Sequence, residues 1–185
     1  LILSSFQSLN KYKDIAGYIE KNIGGYEEID RILKRQILDF NEESKIRKTI
    51  NQLTNIKDIT SKKVKNQYEE NPYPRWLSIP KQLNKMTYGE SINNSLFKKI
   101  PKKEIDSISN ILIAGCGTGR HPAMIAAIDR DIQITAIDIS KSSLSYGKRM
   151  AKKMDLQNIK WAQADILELN DVKKQYDVIE SVGVI

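Results

Sequence analysis

Cysteine occurs once in these 185 residues and histidine once, and no apolar run is long enough to cross a bilayer. The lone Cys116 excludes an internal disulfide and fits a reducing, cytoplasmic setting. One Cys and one His, five residues apart, leave no cluster for a metal, so no metal is expected. Without a run approaching about 20 apolar residues, no membrane partner is expected. The chain opens on Leu1, and no basic stretch precedes an apolar one, so it reads as an internal piece. Aromatics make up only 7% and are not regularly interleaved with the basic residues, which weakens a nucleic-acid face.

The composition that remains is that of a globular protein, with 40% hydrophobic and 29% charged residues. The net charge of +7 is uneven. Residues 1–110 hold 20 Lys and Arg against 14 Asp and Glu, whereas residues 111–185 hold 10 against 9. Lys62, Lys63, Lys65, Lys98, Lys99, Lys102 and Lys103 stand in the basic stretch. Solubility of exposed helices explains them more simply than a nucleic-acid partner does.

Residues 1–70 read as a helical region. Ile29, Leu33, Ile37 and Phe40 recur at helical spacing, as do Ile46, Ile50 and Leu53. Gly24 and Gly25 interrupt, and Asp58 or Thr60 offers a cap oxygen before Ser61 to Glu70. Residues 71–110 form a segment of another kind. "NPYPRW", Asn71 to Trp76, has two prolines that end the preceding helix, and a polar connector with one short helix follows.

From Asn110 the pattern becomes strand, helix, strand. Strands are expected at Ile111–Ala114, Gln133–Ile137, Asn158–Ala162 and Tyr176–Glu180, and helices at Pro122–Asp129 and Lys141–Met154, with a short helix or loop near Asn170–Gln175. Near-continuous apolar strands alternating with helices predict an α/β fold: a doubly wound parallel sheet over residues 111–185, cut off after the fourth strand. Such a sheet binds ligands at the carboxyl ends of its strands.

Three strand ends carry suitable groups. Gly115, Gly117 and Gly119 follow the first strand and allow a tight turn with close backbone approach to a ligand. Pro122 suits the first turn of the next helix. Asp138 ends the second strand, 23 residues after Gly115, at the offset of an acidic residue that accepts from ribose hydroxyls; its other reading is a helix cap, a task Ser140 also fits. Asp165 follows the third strand and could accept an adenine amine, with Ile139 and Ile166 on the ring faces; its other reading is an exposed loop residue. The spacing G-x-G-x-G, with Arg120 in place of a third fingerprint glycine, argues against a dinucleotide, and no Walker lysine follows.

At these residues the chain resembles the class I S-adenosylmethionine-dependent methyltransferases. "ILIAGCGTG", "AIDIS", "ADIL" and "YDVIESVGVI" look like their first four motifs in order, over residues 111–185. "QYEENPYPRW", Gln67 to Trp76, is similar to a bacterial group in which tetratricopeptide repeats precede the domain. The resemblance implies a Rossmann-like sheet, S-adenosyl-L-methionine as cofactor, repeats upstream, and a domain that continues beyond Ile185. It implies that Gly115, Cys116, Gly117, Thr118 and Gly119 lie against the cofactor's amino-acid end, Asp138 on its ribose, Asp165 and Ile166 at its adenine, and Glu180 and Ser181 near the methyl. The histidine pair that follows the fourth strand in that group lies outside the sequence, so no catalytic residue is assigned.

The remaining residues keep two readings each. Tyr73 and Arg75 belong either to a lid, with Arg75 on the cofactor carboxylate, or to a turn pinned to the core by Tyr73 and Trp76. His121 serves the helix start or acts as a base, and Cys116 fills the tight loop or acts as a nucleophile. The methyl acceptor is unidentified, and a protein is one candidate class. A non-catalytic interaction module and a nicotinamide oxidoreductase are the competing functions. Residues 1–185 alone are expected to bind cofactor poorly, since later strands would be absent.

Overall fold

The computed structural model describes residues 9–12, 17, 21, 24–80 and 86–184. The helical expectations over residues 1–8 and most of 13–23, the connector at 81–85 and Ile185 lie outside them. The chain divides into two units, residues 1–48 and residues 49–185.

In the first unit one helical stretch runs as Glu27–Leu33, a π-helical turn Lys34–Leu38 and Asp39–Arg47. Ile37 is fully buried, and Ile29 and Leu33 half so. Phe40, read on the same stripe, is exposed. The π turn adds a residue to the helical repeat, so the register slips between Leu33 and Phe40.

The second unit is built on a five-stranded, all-parallel sheet: β1 Asn51–Gln52, β2 Asn110–Ala114, β3 Gln133–Asp138, β4 Ile159–Gln163 and β5 Val178–Ser181. Its order is β1-β4-β3-β2-β5, so the chain winds one way from β2 and then crosses to β2's other side at β5. The α/β fold and its parallel sheet are as the sequence implied. One strand is new: Asn51–Gln52 falls within the stretch read as helical, yet it pairs with Ala162 and Gln163 of β4. The pair is polar and two residues long, so it carries no strand periodicity to read. The connector holds two short helices, Tyr88–Ser95 and Lys102–Asp106, where one was expected.

Alternation along β2 makes the two faces. Ile111 and Ile113 join Ile134, Ala136, Tyr146 and Met150 on one side; Leu112 and Ala114 join Ile137 and Ala162 on the other. The first face is covered by Arg120–Ile128 and Lys141–Lys153, through Ala123, Ile125, Ala126, Tyr146 and Ala151. Caps hold the helices where the sequence put them. Asp58 accepts from the Ser61 N–H at 2.8 Å, opening Ile59–Glu70, and Ser140 accepts from the Ser143 N–H at 3.1 Å, opening Lys141–Lys153. No helix among the described residues is long and apolar enough to cross a membrane.

Asp177 ties the start of β5 to β2, since one of its carboxylate oxygens accepts from the backbone N–H of Ser109 at 2.9 Å and of Asn110 at 2.8 Å. These bonds hold its carboxyl below the usual value. A lowered folded-state value stabilises the fold above the unfolded value and loses that contribution as pH falls through the folded one. Asp177→Asn should therefore lower the melting temperature at neutral pH, and the gap should close below about pH 3.8, the ordinary value. A gap unchanged by acid would show that packing, not charge, is what Asp177 supplies.

Candidate functional site

The carboxyl ends of β2, β3 and β4 and the exit of β5 surround a cavity of about 720 Å³ at the point where strand order reverses. The loop after β2 forms its floor through Gly115, Cys116, Gly117 and Thr118. Gly117 has φ +55°, a left-handed backbone that side chains resist, and open space where a Cβ would stand. Gly119, at φ +77°, serves packing instead: a Cβ there would meet the Trp161 ring at 2.5 Å. Of the five loop residues named from the sequence, Gly119 alone is missing from the cavity wall.

Asp138 braces this loop from the end of β3. One carboxylate oxygen accepts from the Gly117 N–H at 2.8 Å, the other from the Ser140 N–H at 2.9 Å. Burial pushes its carboxyl above the usual value, against the hydrogen bonds from Ser140, Gly117 and Ile139. Each oxygen keeps acceptor capacity beyond its backbone bond. The cap reading of Asp138 is thus met only in part: Ser140 caps the helix, and Asp138 holds Ser140.

Asp165 is 2% exposed, which corrects the loop reading. Its backbone N–H donates to the Thr54 hydroxyl at 2.8 Å, just beyond β1, and one carboxylate oxygen accepts from the Leu167 N–H. The other oxygen is buried without a partner, and Asp165 lines the cavity with Ile139 and Ile166. A buried carboxylate oxygen left unpaired costs free energy that a donating ligand would recover.

Residues ahead of the sheet form the remaining wall. Ile59–Glu70 contributes Thr60, Ser61, Val64, Gln67 and Tyr68. Glu69 fastens this helix by accepting from the Lys141 N–H and the Ser142 hydroxyl, each at 2.7 Å. "NPYPRW" is clamped onto the glycine loop. Trp76, 6% exposed, donates its indole N–H to the Thr118 carbonyl at 2.9 Å, and the Thr118 hydroxyl donates to the Pro74 carbonyl. The Tyr146 hydroxyl donates to the Trp76 carbonyl, and the two rings meet edge to face at 6.1 Å. Tyr73 lines the cavity but is 74% exposed, so the core anchor is Trp76 alone. Arg75 stands outside the cavity wall, its guanidinium 4.8 Å from the Tyr146 ring centre.

Glu180 and Ser181 lie in β5 beside Ile113 and Ala114. The Glu180 carboxylate does not line the cavity; it accepts from the Tyr88 hydroxyl at 2.7 Å and meets the His121 Nε2. His121 does line it, at the second residue of Arg120–Ile128. Cys116 is held protonated, its thiol pushed up by burial first and by Asp138 second, which disfavours a nucleophilic thiolate. Among the described residues no group of His, Cys, Asp and Glu could hold a metal. Two features had no sequence signal: Tyr88 as a partner of Glu180, and Thr54 as a partner of Asp165.

Residues 105–185 match the family model described as a methyltransferase domain. An uncharacterized protein of Synechococcus sp. is 32% identical over 76 residues, 40% of this chain and 18% of its own length. The chain thus spans under a fifth of that relative. Among solved structures, PKMT2 from Rickettsia typhi in complex with AdoHcy is 26% identical, over 46% of this chain and 16% of its own, at a TM-score of 0.40. The methyltransferase domain of a bacterial CtHen1 is 24% identical, over 40% of each chain, at a TM-score of 0.35. The domain match supports the class I methyltransferase reading and S-adenosylmethionine as its cofactor.

Proposed function

We propose that this chain is the cofactor-binding part of an S-adenosylmethionine-dependent methyltransferase of the tetratricopeptide-linked kind, acting on an acceptor still to be identified. The observation that carries the reading is the unpartnered, buried Asp165 oxygen in a cavity that also holds Asp138 and the glycine loop. The residues present fit the cofactor. Asp138 would take the ribose hydroxyls on the acceptor capacity its backbone bonds leave free. Asp165 would accept from the adenine amine, and Ile139 and Ile166 would cover the ring. The bare backbone at Gly117 would admit the amino-acid end closely.

When bound, the cofactor supplies a methyl group already activated by its sulfonium. The protein then has to orient the acceptor and exclude water, an effect that reaches about 7 kcal/mol or more in favourable cases. The Ile59–Glu70 helix and the clamped Asn71–Trp76 segment would act as the excluding wall. "QYEENPYPRW" supports the link to tetratricopeptide repeats, and the single free thiol fits a cytoplasmic protein.

Calorimetric titration of the full-length protein tests this against S-adenosylhomocysteine and its inosine analogue, whose ring offers a carbonyl where adenine offers the amine. Burying that carbonyl against the Asp165 oxygen sets acceptor against acceptor. The analogue should bind at least about tenfold more weakly. Equal affinities would remove Asp165 from the adenine, and no binding of either would sink the methyltransferase reading.

A further inference from the structure

We propose that His121, held by Glu180 and Tyr88, is the proton acceptor of this site, and that the methyl acceptor is a neutral hydroxyl. The inference rests on the methyltransferase reading above. Three elements converge here. His121 opens the helix after the glycine loop, Glu180 lies in β5 in register with Ile113, and Tyr88 is the first residue of Tyr88–Ser95. The Glu180 carboxylate is the hub, with one oxygen on His121 Nε2 and the other on the Tyr88 hydroxyl at 2.7 Å.

The arrangement dictates the tautomer. Facing a carboxylate, Nε2 carries the ring proton, which leaves the Nδ1 lone pair to accept one. Among the described residues Nδ1 has no hydrogen-bond partner, and the His121 side chain is 42% exposed on the cavity wall, against 19% for Glu180. Glu180 stays ionised, its carboxyl lowered chiefly by His121, and Tyr88 stays a donor, its phenol pushed far up chiefly by burial. A base fixed by a carboxylate, itself fixed by a third group, is the arrangement that activates a hydroxyl nucleophile.

A hydroxyl lone pair forms the new oxygen–carbon bond, and the sulfur–carbon bond breaks with its electron pair on sulfur. The hydroxyl proton passes to Nδ1, giving an imidazolium that faces the Glu180 carboxylate, and leaves to solvent. A thioether or carboxylate acceptor would bring no proton and need no such residue.

Three measurements test this. His121 is the only histidine of the chain, so the imidazole 15N spectrum of the 185 residues reports it alone. At neutral pH it should show the Nε2–H tautomer, and Glu180→Leu, which removes the acceptor facing Nε2, should weaken that preference. An Nδ1–H tautomer in the unaltered chain overturns the proposal. In the full-length protein, His121→Ala should hold S-adenosylhomocysteine within about threefold of the unaltered affinity. A tenfold loss would make His121 a cofactor ligand and overturn the proposal. If His121→Ala does not fold, His121→Gln takes its place. Labelling of a cell extract from methyl-labelled S-adenosylmethionine should fall about a hundredfold in the variant and return in part with added imidazole. Unchanged labelling overturns the proposal, as does an unaltered protein that binds cofactor but labels nothing. Absence of cofactor binding in the unaltered protein would instead refute the methyltransferase reading beneath it.

Discussion

Asp138→Ala should weaken cofactor binding by more than a hundredfold while changing stability far less. The carboxylate would lose two hydrogen bonds to ribose hydroxyls, each worth about 1.5–3 kcal/mol with a charged acceptor. Stability responds less because two effects oppose one another. The Gly117 and Ser140 N–H groups lose their partner, but a carboxyl that burial holds above its usual value is removed with it. Asp138→Asn is no gentle substitute. Both oxygens accept from backbone N–H groups, so either orientation of an amide sets donor against donor. Calorimetry of the full-length protein beside thermal melting separates the two effects. Equal heats for Asp138→Ala and the unaltered protein would take Asp138 out of the cofactor site.

Trp76→Ala should cost about 3–5 kcal/mol, the range for removing a buried aromatic side chain. Trp76 is 6% exposed, packs with Tyr88 and Ile113 in the larger core, and ties "NPYPRW" to the Thr118 carbonyl. That loss corresponds to roughly 10 °C or more in melting temperature for a domain of this size. Trp76→Phe keeps most of the packing and drops only the indole hydrogen bond, so about 1 kcal/mol is expected. Because Thr118 sits in the cavity floor, Trp76→Ala should also loosen cofactor binding in whatever fraction stays folded. A native-like melting curve for Trp76→Ala would mean that the proline turn is not what seats the glycine loop.

Much of the site is local information. Three glycines at alternate positions straight after the apolar run Ile111–Ala114 mark a tight exit from a strand, and the acidic residues Asp138 and Asp165 stand at strand ends wherever those strands pair. The apolar runs and cap residues Asp58 and Ser140 placed the elements within a residue or two of Ile59–Glu70, Lys141–Lys153 and β2 to β4. Where a local rule was broken, the reading failed. The π turn at Lys34–Leu38 shifts the helical repeat and strands Phe40 at the surface, and the polar pair Asn51–Gln52 became a strand through pairing alone.

By itself, then, the sequence determined the parallel α/β sheet, the glycine loop after β2 and the two carboxylates beside it. These follow from side-chain periodicity and backbone freedom within a few residues. The tertiary structure decided what each group meets: that Asp165 is buried with one oxygen unpaired, that Trp76 and not Tyr73 is the anchor, and that His121 stands on Glu180. His121 and Glu180 are 59 residues apart, and Tyr88 and Glu180 are 92. Contacts over such spans depend on strand register and on β5 crossing to the far side of β2, and neither leaves a periodic trace in the chain.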